Sequence, residues 1–372
     1  MLTTEQARLA EYTTLRLGGP AGRFSIAGSA ADLVGAVAAA DQDGEPLLVL
    51  GGGSNLVVAD DGFPGVVVRA AFTGLAFAAG HDNVEVTAAA GQDWDETVQR
   101  CLAEGLSGLE CLSGIPGCAG ATPIQNVGAY GQEVAETITA VRAYDRLAGE
   151  VVRLGPADLG FGYRTSMFKR QAAAGGGGAV TAGAGRGPAT GRFVVLDVTF
   201  ALAASPLSAP VRYAELGRLL GVSEGSRVPA ADARRAVLEL RRRKGMVLDD
   251  GDPDTRSAGS FFTNPVVPAT LFDGLSARLS DPAEVPHWPA ADGTVKLSAA
   301  WLIEHAGFSR GFRLAADPDG ARISTKHTLA LTNPGRASTV SLVRLARAIR
   351  DGVRDAFGVE LAAEPTLVGV TL

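Results

Sequence analysis

The chain has 372 residues, of which 46% are hydrophobic, and carries a formal net charge of −6 with a pI near 5.4. This acidic balance argues against a nucleic-acid backbone as partner, and no apolar run approaches the roughly 20 residues that span a bilayer. The first residues lack the basic and apolar segments of a secretion signal, and the three cysteines and four histidines have no metal-ligand spacing. We therefore expect a cytoplasmic protein of two or three domains without a metal site.

The first 70 residues predict a strand-rich unit with one helix. Residues 12–28 are predicted to form short strands, and a helix follows that begins at a Ser29 cap and ends at Gly44. Two buried strands, 47–50 and 56–58, come next. The five residues between these strands read Gly-Gly-Gly-Ser-Asn.

This glycine-rich loop, residues 51–55, indicates a bound phosphate. In a dinucleotide-binding Rossmann unit such a loop opens a helix, and in a P-loop it is followed by Gly-Lys-Ser/Thr. Loop 51–55 joins two strands and has neither feature. It therefore predicts a nest of backbone N–H groups that binds an anion. The alternative is a glycine-rich turn without a ligand.

A second glycine-rich loop, residues 111–131, has five glycines and two prolines in 21 residues, no regular period and little charge. Buried backbone groups must find hydrogen-bond partners, and glycine lets a ligand approach the chain closely. The loop predicts contact with a diphosphate-bearing cofactor. The alternative is a turn cluster that packs on itself.

The pattern around this second loop is also rich in strands. Residues 171–192 are rich in alanine and glycine, and we expect them to be a disordered insertion. The other predicted elements are a strand at 84–86, a helix over 93–105, a hairpin over 138–154 and a strand over 193–200.

The predicted elements change near residue 203 from mainly strands to mainly helices. Four lysines stand among 34 basic residues, so each is expected to matter where an anionic group is bound; they are Lys169, Lys244, Lys296 and Lys326. The predicted elements are a short helical stretch holding Tyr213, helices over 232–244, 297–305 and 338–357, and a strand within 363–369.

Six motifs follow one another along the chain: residues 50–56 (LGGGSNL), 114–120 (GIPGCAG), 123–131 (PIQNVGAYG), 162–164 (GYR), 259–262 (GSFF) and 364–365 (EP). Their content and order closely resemble the UDP-N-acetylenolpyruvoylglucosamine reductase family. The resemblance extends from about residue 13 to residue 369. A set of ordered motifs is far more specific than any one of its members.

The resemblance implies an α+β protein. Its FAD-binding part would have the vanillyl-alcohol-oxidase/PCMH-type fold of two subdomains, and a third α+β domain would bind the substrate. The implied boundaries are 1–70, to which the C-terminal strand 358–372 returns, then 71–202 and 203–357. We expect a monomer with small-molecule substrates and no membrane insertion.

The resemblance also implies NADPH-dependent reduction of UDP-N-acetylglucosamine-enolpyruvate to UDP-N-acetylmuramate, a step of peptidoglycan precursor synthesis. Non-covalently bound FAD passes hydride from N5 to C3 of the enolpyruvyl group, and Ser260 gives a proton to C2. Arg164 and Glu364 stabilise the intermediate. Glu364 helps only if it is protonated or donates through a neighbour, so its pKa is expected to be raised.

The implied ligand contacts form two sets. In the substrate set, Trp288 stands at a position where relatives often have Tyr, and His327 stands at a position where they often have Gln. The FAD set is Leu50, Gly51, Gly52, Gly53, Ser54, Asn55, Leu56, Gly114, Ile115, Pro116, Gly117, Ile124, Gln125, Asn126, Gly128, Ala129, Tyr130, Val194 and Arg241. The substrate set is Tyr130, Tyr163, Tyr213, Lys244, Asn264, Trp288, Lys296 and His327.

Two alternatives stay open. A flavin oxidase of the same fold, acting on another small polar substrate, would not require Ser260 together with Arg164 and Glu364. A non-catalytic protein that binds flavin or a nucleotide sugar would leave Ser260 without a role.

Overall fold

A computed structural model describes residues 2–5, 7–174, 190–277 and 285–372. Within those ranges no helix is both long and apolar enough to cross a membrane. Most of the predicted insertion, residues 175–189, lies outside them. The predicted boundaries of that insertion need correction, because residues 171–174 extend a helix and the Thr190 hydroxyl accepts a hydrogen bond from the Val49 N–H at 2.6 Å.

The first group of elements is a sheet covered by one helix. The sheet order is β1-β2-β5-β3, and β5 runs parallel to both β2 and β3. Its elements are β1 (Leu2–Glu5), β2 (Ala21–Ala27), α1 (Ala30–Gln42), β3 (Leu47–Leu50), β4 (Leu56–Val58) and β5 (Phe63–Ala70). Ser29 caps α1 as predicted, because its Oγ accepts from the Asp32 N–H at 3.0 Å.

The segment before β2 differs from the prediction of short strands over residues 12–28. A 3₁₀ turn, Leu9–Tyr12, precedes β2. The Thr13 hydroxyl donates to the Leu17 carbonyl at 2.9 Å and closes a further turn. These local bonds take the place of strand pairing.

The second group is built on the sheet β12-β11-β13-β7-β6, with β8 pairing the end of β13. Its elements are β6 (Leu75–Ala79), β7 (Val84–Ala89), α2 (Trp94–Ala103), β8 (Leu106–Ser107), β9 (Gly128–Ala129), β10 (Gln132–Glu133), β11 (Ile138–Asp145), β12 (Glu150–Leu154), α3 (Pro156–Leu159), α4 (Met167–Ala174) and β13 (Phe193–Ala204). The predicted helix over 93–105 is confirmed as α2, which Asp93 caps by accepting from the Glu96 N–H, and the predicted hairpin over 138–154 is confirmed as β11–β12. Loop 111–131 thus lies between β8 and the β9–β10 hairpin.

The third group contains two three-stranded sheets, β14-β19-β18 and β15-β17-β16. Its elements are α5 (Ala214–Leu220), α6 (Ala230–Arg243), β14 (Ser257–Ser260), β15 (Val266–Pro268), α7 (Ala269–Ser276), β16 (His287–Pro289), β17 (Thr294–Leu297), α8 (Ala299–His305), β18 (Arg322–Ile323), β19 (Ala330–Thr332), α9 (Thr339–Phe357) and β20 (Thr366–Val368). Tyr213 precedes α5 and is not part of the helix, contrary to the prediction.

Two contacts between these groups shape the site. The C-terminal strand β20 pairs in parallel with β4, the strand that follows loop 51–55. Helix α6 packs its Val237 and Leu240 against Cys111 at the start of the second glycine-rich loop. Residues from all three groups therefore meet around the two loops.

Candidate active site

The two glycine-rich loops pack directly against each other. A Cβ atom at Gly52 would lie 2.6 Å from the Cα of Gly117, so only glycine permits this approach of the two backbones. The Asn55 amide donates to Gln125 Oε1 at 2.9 Å and joins the loops a second time. Part of the glycine content is therefore explained by packing between the loops.

The groups beside this junction fit the diphosphate of a dinucleotide cofactor. A cavity of about 760 Å³ opens next to the first loop and is bordered by its backbone and by guanidinium groups. Backbone of this kind and cationic side chains bind anionic oxygens. The bordering loop residues and cations are Gly51, Gly52, Arg8, Arg16, Arg69 and Arg256. Glu11, Asp249 and Asp250 also border the cavity, and Asp250 pairs with Arg16.

Arg241 gives a second sign that an anionic or polar group binds near the loops. Its side chain is 7% exposed, and its Nη2 donates to the Met246 carbonyl at 2.8 Å. Its Nε is buried without an acceptor among the described residues, and Gly114 lies beside it. Burial lowers the pKa of Arg241 to about 10. A bound ligand that accepts a hydrogen bond would satisfy this nitrogen.

The second loop is held in a strained turn. Asn126 and Tyr130 both have φ near +49°, which non-glycine residues rarely adopt. The Asn126 amide donates to Glu133 Oε2 at 2.7 Å and to the Gly162 carbonyl at 3.1 Å, and its Oδ1 accepts from the Ala135 N–H. The Asn126 side chain is thus engaged within the protein and shapes the loop.

Arg164 and Glu364, expected to act together, form an ion pair. Arg164 Nε lies 3.1 Å from Glu364 Oε1 without the alignment of a hydrogen bond, and Arg164 Nη2 donates to the Gly128 carbonyl at 2.7 Å. Arg164 itself has φ of +52°. Burial raises the pKa of Glu364, while the charges of Arg164 and Lys169 oppose that rise. The raised pKa agrees with the expectation from the sequence.

Ser260 is brought near Glu364 through the backbone. The N–H of Glu364 donates to the Phe261 carbonyl at 2.9 Å, and Phe262 forms a β-bridge with Ala363. Phe261 and Phe262 are buried at 1% exposure each and anchor the segment. The partly buried Ser260 ends strand β14 immediately before this anchor.

One wall of the site is aromatic and cationic. Lys296 Nζ lies 4.9 Å from the centre of the Tyr163 ring and 5.6 Å from that of Trp288, as cation–π contacts require. Trp288 faces Lys296 because β16 and β17 pair in that register. Tyr163 and Arg164 line a cavity of about 490 Å³ with Asn264, whose Oδ1 accepts from the Ala299 N–H.

A second cluster surrounds Tyr130. Its ring meets that of Tyr213 edge to face at 5.3 Å, and Lys244 Nζ lies 5.7 Å from its centre. Lys244 also pairs with Glu215 at 2.6 Å. Burial and the nearby charge of Lys244 lower the pKa of His327 to about 4, so its imidazole is neutral at pH 7.

Three residues of the FAD set pack their side chains in or against the hydrophobic core. Val194 is 2% exposed and packs in the core beneath α1. Leu50 is buried in the core around β3 and β4 and offers a ligand only its backbone groups, whereas Leu56 packs against that core and is partly exposed. The structure does not bring the Val194 side chain to the loops.

Lys169 was one of the four lysines singled out in the sequence but was placed in neither ligand set. Its Nζ lies 3.4 Å from Gln125 Oε1 and 3.3 Å from the Glu364 carbonyl. The scarcity of lysine in the sequence was the signal available for it. Lys326, by contrast, pairs with Asp252 at 2.5 Å.

Comparison with known proteins agrees with this architecture. A family model described as "FAD binding domain" matches residues 23–155, and one described as "UDP-N-acetylenolpyruvoylglucosamine reductase, C-terminal domain" matches residues 252–368. The reductase of that name from Thermobifida fusca (strain YX) is 53% identical, and the alignment covers 100% of both chains. The one from Salinispora arenicola (strain CNS-205) is 55% identical over 99% of this chain and 96% of the relative.

A solved structure gives the same result. The crystal structure of UDP-N-acetylenolpyruvylglucosamine reductase from Thermus caldophilus matches with a TM-score of 0.61 and 26% identity, covering 99% of this chain and 100% of that one. These findings confirm the expected α+β FAD-binding fold and FAD as the cofactor. The chain belongs to the UDP-N-acetylenolpyruvoylglucosamine reductase family.

Proposed function

We propose that the protein uses FAD and NADPH to reduce UDP-N-acetylglucosamine-enolpyruvate to UDP-N-acetylmuramate. The observation that carries this proposal is the contact of Arg164 Nε with Glu364 Oε1 at 3.1 Å, which the backbone ties to the segment that follows Ser260. Membership of the reductase family supports the same substrate and product. The hydride chemistry is that of FAD, which when bound supplies hydride to C3 of the enolpyruvyl group with NADPH as the source.

FAD would be held by the two loops. Their backbone groups, together with Asn55, Gln125 and Arg241, are the proposed contacts. The close approach of Gly52 to Gly117 supports this, since it fixes the two loops against each other and brings their backbone groups to one place. The unpaired Nε of Arg241 supports a polar ligand at that end of the second loop.

Ser260 would donate the proton to C2. A free serine hydroxyl is a weak acid, but the carbanion or enol at C2 is a strong base, so the transfer requires mainly that the hydroxyl be held in place. The buried Phe261 and Phe262 that follow Ser260 support such a fixed position.

Arg164 and Glu364 would stabilise the charge that develops on the enolised carboxylate. Arg164 carries the compensating charge. Glu364, whose pKa is raised by burial, keeps its proton to higher pH than an exposed glutamate and then acts as a hydrogen-bond donor.

The two aromatic and cationic clusters would bind the nucleotide sugar. Lys244 and Lys296 are the proposed partners of the diphosphate, because each is a cation held above an aromatic ring. Tyr130, Tyr163, Tyr213, Asn264, Trp288 and His327 would complete the contacts.

The grouping of sheets also supports the expected division of the chain. We propose the subdomains 1–70 with 358–372, and 71–202, and a substrate-binding domain 203–357. Pairing of β20 with β4 supports the return of the C-terminus to the first of them. A monomer in the cytoplasm is part of the same proposal.

The test is anaerobic stopped-flow spectroscopy of the flavin. NADPH should bleach the visible absorbance of the oxidised flavin, and UDP-N-acetylglucosamine-enolpyruvate should restore it in a single turnover. A reduced protein that reacts with oxygen but not with this substrate would instead identify a flavin oxidase. A preparation without flavin that takes up none would exclude both activities.

A further inference from the structure

We propose that Lys169 is a positioning residue for this reduction, because it holds Gln125 and Glu364 in the arrangement that stabilises the developing charge. The inference rests on the proposed function of the site. Lys169 is partly buried and lines the cavity of about 490 Å³ together with Tyr163 and Arg164. It is not expected to touch the reacting atoms.

The backbone of Lys169 is fixed to the second glycine-rich loop. The fully buried Ser166 caps the start of α4, since its Oγ accepts from the Phe168 N–H at 3.2 Å and the Lys169 N–H at 3.5 Å. The same hydroxyl donates to the Ile124 carbonyl at 2.6 Å. Ser166 therefore connects the chain segment that carries Lys169 to the one that carries Gln125.

The side-chain ammonium then sets the orientation of the Gln125 amide. Gln125 Oε1 lies 3.4 Å from Lys169 Nζ and 2.9 Å from the Asn55 amide nitrogen. Because both neighbours are donors, this end of the amide is the oxygen. The Gln125 NH₂ group is consequently turned to Glu364 Oε1, at 3.4 Å.

Lys169 also acts on Glu364 directly. Its Nζ donates to the Glu364 carbonyl at 3.3 Å and so restrains the backbone at that residue. Its charge opposes the burial that raises the pKa of the Glu364 carboxyl. Loss of the ammonium would free the Gln125 amide to rotate and would leave Arg164 as the cation beside Glu364.

The experiment compares Lys169→Met, which keeps the length of the side chain without its charge, with Lys169→Arg, which keeps the charge. Lys326→Met is the matched control, because Lys326 pairs with Asp252 and not with Gln125 or Glu364. For each holoenzyme, reduction of the flavin by NADPH and its reoxidation by the enolpyruvyl substrate are measured separately. The pH dependence of reoxidation is recorded as well.

We expect Lys169→Met to slow reoxidation by on the order of 100-fold, as a displaced catalytic group does, with flavin reduction within about twofold. Its pH profile should shift to higher pH, since Glu364 would then hold its proton more tightly. The other titratable or charged groups lining the cavity are Tyr163, Arg164, Arg170 and Glu360, which the variant leaves in place. Lys169→Arg should recover most of the rate and the original profile.

Three results would overturn the proposal: unchanged reoxidation in Lys169→Met, equal loss in both half-reactions, or a Lys169→Arg variant no faster than Lys169→Met. Failure of the wild-type flavin to be reoxidised by this substrate would refute the proposed function, whatever Lys169 does.

Discussion

Glu364 donates its backbone N–H to the carbonyl of Phe261 at 2.9 Å, and this bond links the C-terminal segment to the strand that carries Ser260. The two residues are more than 100 positions apart in the chain. The bond aligns the proposed proton donor with the proposed stabilising acid. Each can therefore be tested without displacing the other's backbone.

Replacement of Ser260 by alanine tests proton donation. We expect reoxidation of the flavin by the enolpyruvyl substrate to fall roughly 10²–10⁴-fold, the usual contribution of a general acid. Reduction by NADPH should be nearly unchanged, because Ser260 has no part in it. Both rates are measured by anaerobic stopped flow. Normal turnover in Ser260→Ala would show that another group donates the proton.

Replacement of Gly52 by alanine tests the packing of the two loops. The new methyl group would stand 2.6 Å from Gly117 Cα, so one backbone must move. We expect a loss of about 1–3 kcal/mol in the free energy of unfolding of the apoprotein and weaker binding of FAD by equilibrium titration. Gly35→Ala is the control.

Gly35 lies in α1, and a Cβ added at this position would have no atom within 4 Å, so alanine there should stabilise the protein by about 0.5–1 kcal/mol. An apoprotein with Gly52→Ala that is as stable as this control, and that binds FAD normally, would contradict the packing argument.

The caps and glycine-rich loops could be predicted because they depend on local chemistry. Ser29 and Asp93 cap helices as their spacing indicates, and loop 51–55 joins two strands. Contacts between distant segments could not be predicted in this way. The pairing of Lys296 with Trp288 depends on the register of β17 with β16, and the position of Lys169 near Glu364 depends on the return of the C-terminal segment.

Burial was equally hard to predict for single residues. The resemblance implied that Val194 contacts FAD, but Val194 is the second residue of β13 and its side chain packs in the core beneath α1, so such a contact would have to use its backbone. The sequence does not show whether an apolar residue in a strand packs against a ligand or against a helix. Asn126 was also expected to contact FAD. Its side-chain amide donates to Glu133, a contact that the sequence did not indicate.

Replacement of Lys296 by methionine tests the aromatic wall. Loss of a charged hydrogen-bond donor to the substrate diphosphate typically costs about 1.5–3 kcal/mol, so KM for the nucleotide sugar should rise roughly 10- to 100-fold. The rate of reoxidation at saturating substrate should change little. Lys326→Met, which removes a lysine that pairs with Asp252 instead of lying over Tyr163 and Trp288, should change KM much less. A fall in the saturating rate at constant KM would indicate that Lys296 acts in the chemical step instead.

The pH dependence of reoxidation tests the state of Glu364. Burial raises its pKa, so the protonated form is present at low pH and is lost as pH rises through that raised value. The rate should fall with it, and the free energy of unfolding should fall over the interval between the unfolded and folded pKa values. Glu364→Gln keeps a donor at all pH values and should remove the fall in rate and the part of the pH dependence of unfolding that Glu364 contributes, whereas Glu364→Ala should be slow throughout. An unaltered profile in Glu364→Gln would assign the titration to another group.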